Sequence, residues 1–293
     1  LYNKVPKNKI NELGKLIHEM SRALSFTILE IGAAPSEDQP EPAHHLLEIF
    51  PGSKIIAFEI DAQLCEELNK KAKPGLKFYP AALGKKEERR KFYETVDPTC
   101  CSLYRPNEAL LKQYNNMEVS MLKSETLIET VSMDFFMKKN KIEDVDFIKI
   151  DIQGAELDVF KGGLKTLRDV TVIVSEVEFI SQYIDQPLFG DVCRFLTKQN
   201  FMFQKFLGMG GRALKPVIFQ NNPHFPSQYI WTDAVFIRDI QRLPDLSSDK
   251  LLKMAVLSFL YGGLDVSYYC ISLFDEKNQT NYRQDFTKIL SGV

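Results

Sequence analysis

This chain is poor in the features that mark most functional classes. Its 293 residues include one Trp, four His and five Cys, and an odd number of cysteines cannot all pair. Cys100 and Cys101 are neighbours, a poor arrangement for bridging to each other, and no C-x-x-C or Cys/His spacing suggests zinc. A reducing, cytoplasmic compartment is the expectation. Basic residues are not in excess: 37 Lys and Arg stand against 39 Asp and Glu, a net charge of -2. A nucleic-acid partner is therefore not expected. Long hydrophobic runs are missing as well. The most apolar late segment, Leu251 to Leu260, is too short and too interrupted to span a bilayer, and no leader or stop-transfer pattern is visible. Glycine is sparse where a dinucleotide site needs it. The loop Glu30-Ile31-Gly32-Ala33-Ala34-Pro35 has one glycine in place of G-x-G-x-x-G, so the backbone is not built to approach a pyrophosphate.

What is present reads as an α/β protein. Apolar residues at three- and four-residue spacing from Ile10 to Leu24 predict an amphipathic lead-in helix. Thr27 to Gly32 then reads as a buried strand, Ala43 to Phe50 as a first crossover helix and Lys54 to Glu59 as a second strand. Asp61 caps a helix to about Ala72, and Leu76 to Tyr79 is a third strand. This β-α-β-α-β order at crossover lengths predicts a parallel, doubly wound half. Lys85 to Lys91 mixes both charge signs and predicts a solvated hairpin or helix face. Lys91 to Val96 and Glu125 to Val131 read as strands around a helix at Asn107 to Tyr114, and Ser132 starts a short helix. Asp146 to Glu156, D-F-I-K-I-D-I-Q-G-A-E, is the centre of the pattern. Phe147, Ile148 and Ile150 suit a strand buried on both faces, interrupted only by Lys149. Val170 to Val174 is a further strand ending on Ser175-Glu176. Leu188 to Gln199 is a helix, and Phe201 to Phe206 with Tyr229 to Ile237 form an antiparallel hairpin.

Three predicted strands end on or beside an acid: Glu30, Glu59 and Asp151. Each alone is explained by helix capping. Together they sit at the edge where open α/β sheets bind ligands, and an acid after the second strand suits a ribose diol. S-adenosylmethionine has no phosphate and carries an ammonium, which matches an acidic first loop poor in glycine.

With these residues the chain resembles the FkbM-type family of S-adenosylmethionine-dependent methyltransferases. The resemblance rests on E-I-G-A at Glu30 to Ala33, A-F-E-I-D at Ala57 to Asp61, A-A-L-G at Ala81 to Gly84 and V-S-M-D-F-F at Val131 to Phe136. The most specific part is D-F-I-K-I-D-I-Q-G-A-E-L-D-V-F-K-G-G at Asp146 to Gly163, followed by S-E-V at Ser175 to Val177 and D-A-V-F-I-R at Asp233 to Arg238. It covers roughly residues 26 to 238. The first loop departs from the family's pattern: Ala34-Pro35 and an acidic, Pro-containing insertion to Pro42 replace a second glycine. The resemblance implies a Rossmann-like methyltransferase fold with a mostly parallel seven-stranded sheet, an antiparallel hairpin and helical extensions. The expected division is 1–25 lead-in, 26–240 methyltransferase domain and 241–293 helical tail.

The resemblance further implies S-adenosyl-L-methionine as cofactor. Glu30, Gly32 and Ala33 would line its methionine side, Glu59 its ribose, and Ile60 and Ala82 its base, with Asp151 nearest the reacting centre. Methyl transfer to a hydroxyl, on a saccharide or another small metabolite, needs a base. Asp151 and Glu176 are the candidates, ahead of His44, His45 and His224. No metal ligand set is expected, although two facing carboxylates holding a divalent cation remain the alternative mechanism. A non-catalytic scaffold is the alternative function, motivated by the first loop. Residues 207 to 228, near the aromatics Phe219, Phe225, Tyr229 and Trp231, are expected to choose the acceptor. The apolar face of the tail either packs on its own domain or pairs two copies as a homo-oligomer.

Overall fold

The computed structural model describes residues 5–32 and 41–291. The chain opens with α1 (Lys7–Met20) and β1 (Thr27–Ile31). The expected crossover helix is a 3-10 turn (Pro42–His45) running into a single turn, α2 (Leu46–Ile49). There follow β2 (Lys54–Glu59), α3 (Ala62–Lys71), β3 (Leu76–Pro80), β4 (Ala82–Gly84), β5 (Glu88–Thr95), α4 (Glu108–Leu111), β6 (Leu122–Ser132), α5 (Met133–Asn140) and β7 (Phe147–Ile150). The chain continues through α6 (Glu156–Lys161), β8 (Val172–Glu178), α7 (Phe189–Lys198), β9 (Phe201–Phe206), β10 (Gly210–Arg212) and β11 (Gln228–Arg238), and closes with α8 (Ser248–Leu260), α9 (Leu264–Asn278) and α10 (Arg283–Leu290).

The main sheet runs β10-β11-β8-β7-β1-β2-β3, with β9 also on β11. The strands β8, β7, β1, β2 and β3 are parallel to their neighbours, and β11 is antiparallel to β8. The sheet therefore has eight strands, not seven. The extra strand arises because the outer lane is broken. Phe206 pairs with Ala234 and Gly210 with Trp231, and the intervening turn passes through Gly208 at φ +142°. The expected hairpin partners, β9 and β11, are paired. A second sheet, β4-β6-β5, stands apart from the first.

Side chains alternate along the strands, as the pleat requires. Ile28, Phe147, Val172 and Val174 enter a core shared with α1, α8 and α9. Leu29, Ile148, Ile150 and Ile173 enter the opposite core, under α5, α6 and α7. Residues from both ends of the chain, Leu13 and Ile17 of α1 and Leu251 to Leu260 of α8, lie in the first core, so the tail's apolar side is covered by its own sheet. Asp146, at the start of β7, anchors that packing. Its wholly buried carboxylate takes the Thr27 amide at 3.0 Å and the ammonium groups of Lys250 and Lys253 at 2.8 Å each. Among the described residues no helix is long and apolar enough to cross a membrane.

Candidate active site

The carboxyl edge of the parallel strands is closed by one tight turn. Asp151 follows β7, and its amide donates to Ile31 O at 2.9 Å, tying the turn to the end of β1. A Cβ on Gly32, whose φ is +81°, would stand 1.9 Å from the Asp151 carbonyl oxygen. Gly32 is thus needed where two strand ends meet backbone to backbone. Asp151 does not cap the next helix. The helix has no side-chain cap, and the turn before it is held by Glu156, whose buried carboxylate folds back onto the amides of Ile152 (2.8 Å) and Gly154 (3.3 Å). The side chain of Asp151 is left 41% exposed at the edge.

Gln153 organises the acids around it. Its Nε2 donates to Asp151 Oδ1 at 2.9 Å and to Glu176 Oε2 at 2.6 Å. The residue adopts φ +58°, and its backbone carbonyl accepts the Ser102 hydroxyl at 2.6 Å. Tyr183, whose hydroxyl donates to Cys100 O at 2.8 Å, lies 3.2 Å from the Gln153 amide oxygen. Burial, with the charges of Asp151, Glu178 and Glu156, raises the Glu176 carboxyl well above the usual range. Lys149 is largely buried, its side chain 12% exposed, yet its ammonium is held charged. Desolvation opposes the charge, but Asp151, Asp233 and Glu41 together outweigh it and raise its pKa. Its Nζ lies 2.8 Å from Asp233 Oδ1 and 3.7 Å from Asp151 Oδ2.

Two cavities meet at Asp151. The larger, about 500 Å³, is bounded by Ile31, Gly32, the stretch Phe58 to Asp61, Ala81 to Leu83 and Asp151 to Gln153, and by a wall from the small sheet. The smaller, about 240 Å³, is lined by Asp151, Glu176, Leu207, Gly208, Gly210, Trp231, Thr232 and Asp233. Of the expected cofactor residues, Gly32, Glu59, Ile60, Ala82 and Asp151 line the first cavity. Glu59 also has a local task, since its Oε1 accepts from the amides of Ile60 (2.7 Å) and Asp61 (3.1 Å). Glu30 is not among the lining residues. Its carboxylate pairs with His44 Nε2 at 2.6 Å, and this pairing raises the His44 pKa against the opposing pull of burial. Ala33, and the loop departure at Ala34-Pro35, lie outside the described residues.

Glu176 and Asp151 share the second cavity. From the segment expected to choose the acceptor, Leu207, Gly208 and Gly210 reach it, whereas Phe219 and Phe225 pair with each other at 5.0 Å. His224 meets Asn116, and His45 meets Asn11 and Glu48, both away from the cavities. Gln153, Glu156 and Asp233 were not singled out by the sequence as site residues, and Lys149 left only one sign, a charge inside an apolar strand. Among the described residues no three His, Cys, Asp or Glu side chains converge to hold a metal ion.

Comparison with known proteins identifies a family. Residues 30–203 match the model of the Methyltransferase FkbM domain. The chain is similar to 2-O-methyltransferase NoeI of Sinorhizobium fredii (strain NBRC 101917 / NGR234), with 24% identity over 167 residues. That alignment takes in 55% of this chain and 65% of the relative, so the chain spans just under two thirds of the relative's length.

Proposed function

Because the chain belongs to the FkbM methyltransferase family, we propose that it is an S-adenosylmethionine-dependent O-methyltransferase acting on a hydroxyl of a saccharide or similar small polyol. The observation that carries this reading is the position of Asp151 between two cavities. A donor on one side and an acceptor on the other meet at a single carboxylate.

The first cavity fits the cofactor in size and chemistry. Its volume lies in the range of small-molecule sites. Glu59, at the end of β2, offers a carboxylate oxygen beyond the one used by its own turn. Ile60 is 40% exposed and gives an apolar surface for a base, with Ala82 across from it. Bound there, S-adenosylmethionine would supply a methyl group made electrophilic by its sulfonium. Asp151 accepts the proton that the acceptor hydroxyl loses. Gln153 and Lys149 fix Asp151 from two directions, which supplies the positioning on which such a transfer depends. Glu176, whose pKa burial raises, stands beside Asp151 in the second cavity and is placed to hold the acceptor. The O-methyl chemistry is supported by the similarity to a 2-O-methyltransferase, and the polyol by a cavity that sets Trp231 beside three acids.

Calorimetry with S-adenosylhomocysteine tests the reading. Micromolar affinity, on the order of -8 kcal/mol, is expected, and Glu59→Gln should weaken it while keeping an acceptor for the Ile60 and Asp61 amides. Transfer of labelled methyl to a panel of saccharides should then be lost in Asp151→Asn. A folded protein without affinity for S-adenosylhomocysteine would overturn the reading in favour of a scaffold.

A further inference from the structure

The small sheet joins the core under α5 and α6 only at one end, through Leu83 and Val131, and one of its faces looks into the first cavity. Along that face the cross-strand pairs are Arg90 with Ile128, Phe92 with Thr126 and Glu94 with Ser124. Phe92, Glu94, Thr126 and Ile128 all line the cavity. Phe92 and Ile128 belong to none of the apolar clusters formed by the described residues. An aromatic ring and a branched aliphatic chain, half open to a cavity and packed in no core, are placed to meet a ligand rather than to stabilise the fold.

The face is firmly held. Arg90 Nη1 donates to Asp158 Oδ2 of α6 at 2.6 Å, and the Tyr104 hydroxyl reaches the same oxygen at 2.9 Å. Gly162 presses on the carbonyl of Gly84, where a Cβ would stand 2.4 Å away. These contacts dock the small sheet on the turn-and-helix unit that carries Asp151.

Position decides which ligand end the face meets. Across the main sheet the order is β3, β2, β1, β7, β8, β11. The acceptor-side cavity lies toward β8 and β11. The small sheet begins with β4, directly after β3, and none of its residues lines that cavity. Beyond the ribose acid at the end of β2, the next ligand part outward is the base.

We propose that the β4-β6-β5 sheet is the base-binding wall of the first cavity, with Phe92 and Ile128 covering the adenine ring of the cofactor; this rests on the donor-cavity reading above. Aromatic contact with a nucleobase survives changes elsewhere in a ligand, because every base presents a π-face. The wall therefore recognises adenosine alone as well as the complete cofactor.

The test is calorimetry of the full chain with S-adenosylhomocysteine and, separately, with adenosine. Phe92→Ala should weaken both ligands by about tenfold or more, the scale of a lost base–aromatic contact, and Phe92→Tyr should restore affinity. Leu127→Ala alters the opposite face of β6, where Leu127 is 59% exposed, and should leave both affinities unchanged. Melting temperatures of the three variants report folding independently. Unchanged affinity in a folded Phe92→Ala protein, beside a wild type that binds, overturns the base wall and leaves the donor cavity standing. A wild type that binds neither ligand overturns the donor-cavity reading itself, and the wall with it.

Discussion

Glu156 shows how one carboxylate sets local conformation and pH response together. Burial lifts its pKa from 4.5 to about 7, with Asp151 adding to the rise and the amides of Ile152 and Gly154 opposing it. A carboxyl whose pKa is raised on folding is favoured while protonated. Below pH 4.5 it is protonated in both states and has no effect. Between 4.5 and about 7 the folded chain keeps a proton that the unfolded chain has lost, so stability falls as pH rises and levels off above 7. Glu176 and Glu178, both raised by burial first, act with the same sign. In Glu156→Gln the amide oxygen still accepts from both backbone groups, but the charge is gone. Urea denaturation from pH 5 to 8 should show a fall smaller by up to about 3 kcal/mol in the variant. An unchanged slope would clear Glu156 of this role. Asp151 was legible at this scale because an acid ending an apolar strand is conspicuous. Gln153 was not, because its importance comes from two long-range partners and a left-handed backbone that no spacing reveals.

The elements were legible where burial is one-sided or complete, and poorly so elsewhere. Strands β1, β2, β7 and β8 announce themselves as apolar runs because both faces are covered. Strands β5 and β6 alternate on a half-open sheet and run longer than their apolar residues suggest, since cross-strand pairs hold the polar positions as well. The break between β9 and β10 was visible only as the glycines of Leu207 to Gly211. What the tail covers was also closed to the sequence, because an apolar helix face does not name its partner. Asp146 supplies the missing link. It begins the most recognisable motif of the chain, yet its carboxylate serves α8 and lies far from the cavities' shared edge. Removing one partner of a buried charge cluster typically costs 3 kcal/mol or more, about 3–5. Asp146→Ala should lower stability by about that amount in urea unfolding, while affinity for S-adenosylhomocysteine in the remaining folded protein changes little. A loss of affinity with little loss of stability would place Asp146 in the site instead.

At the scale of the whole molecule, two cavities flank one carboxylate, and the chain's single tryptophan lines only the second. Trp231 is held there by its surroundings. The Arg212 guanidinium lies 5.0 Å from the ring centre, and a Cβ on Gly210 would come within 2.2 Å of the indole. The doubly bounded site was not legible in the sequence, since it is assembled from strands far apart in the chain and from a separate sheet. Its arrangement makes fluorescence selective for one side. S-adenosylhomocysteine, filling the first cavity, should leave the tryptophan emission nearly unchanged. A saccharide that serves as acceptor should quench or shift it, and Trp231→Phe should abolish the signal. Gly210→Ala, which pushes the ring from its place, should weaken saccharide binding by about tenfold, roughly 1.4 kcal/mol, and spare S-adenosylhomocysteine. If S-adenosylhomocysteine alone changes the emission as strongly as any saccharide, the donor reaches the second cavity, and the separation of donor from acceptor across Asp151 is wrong.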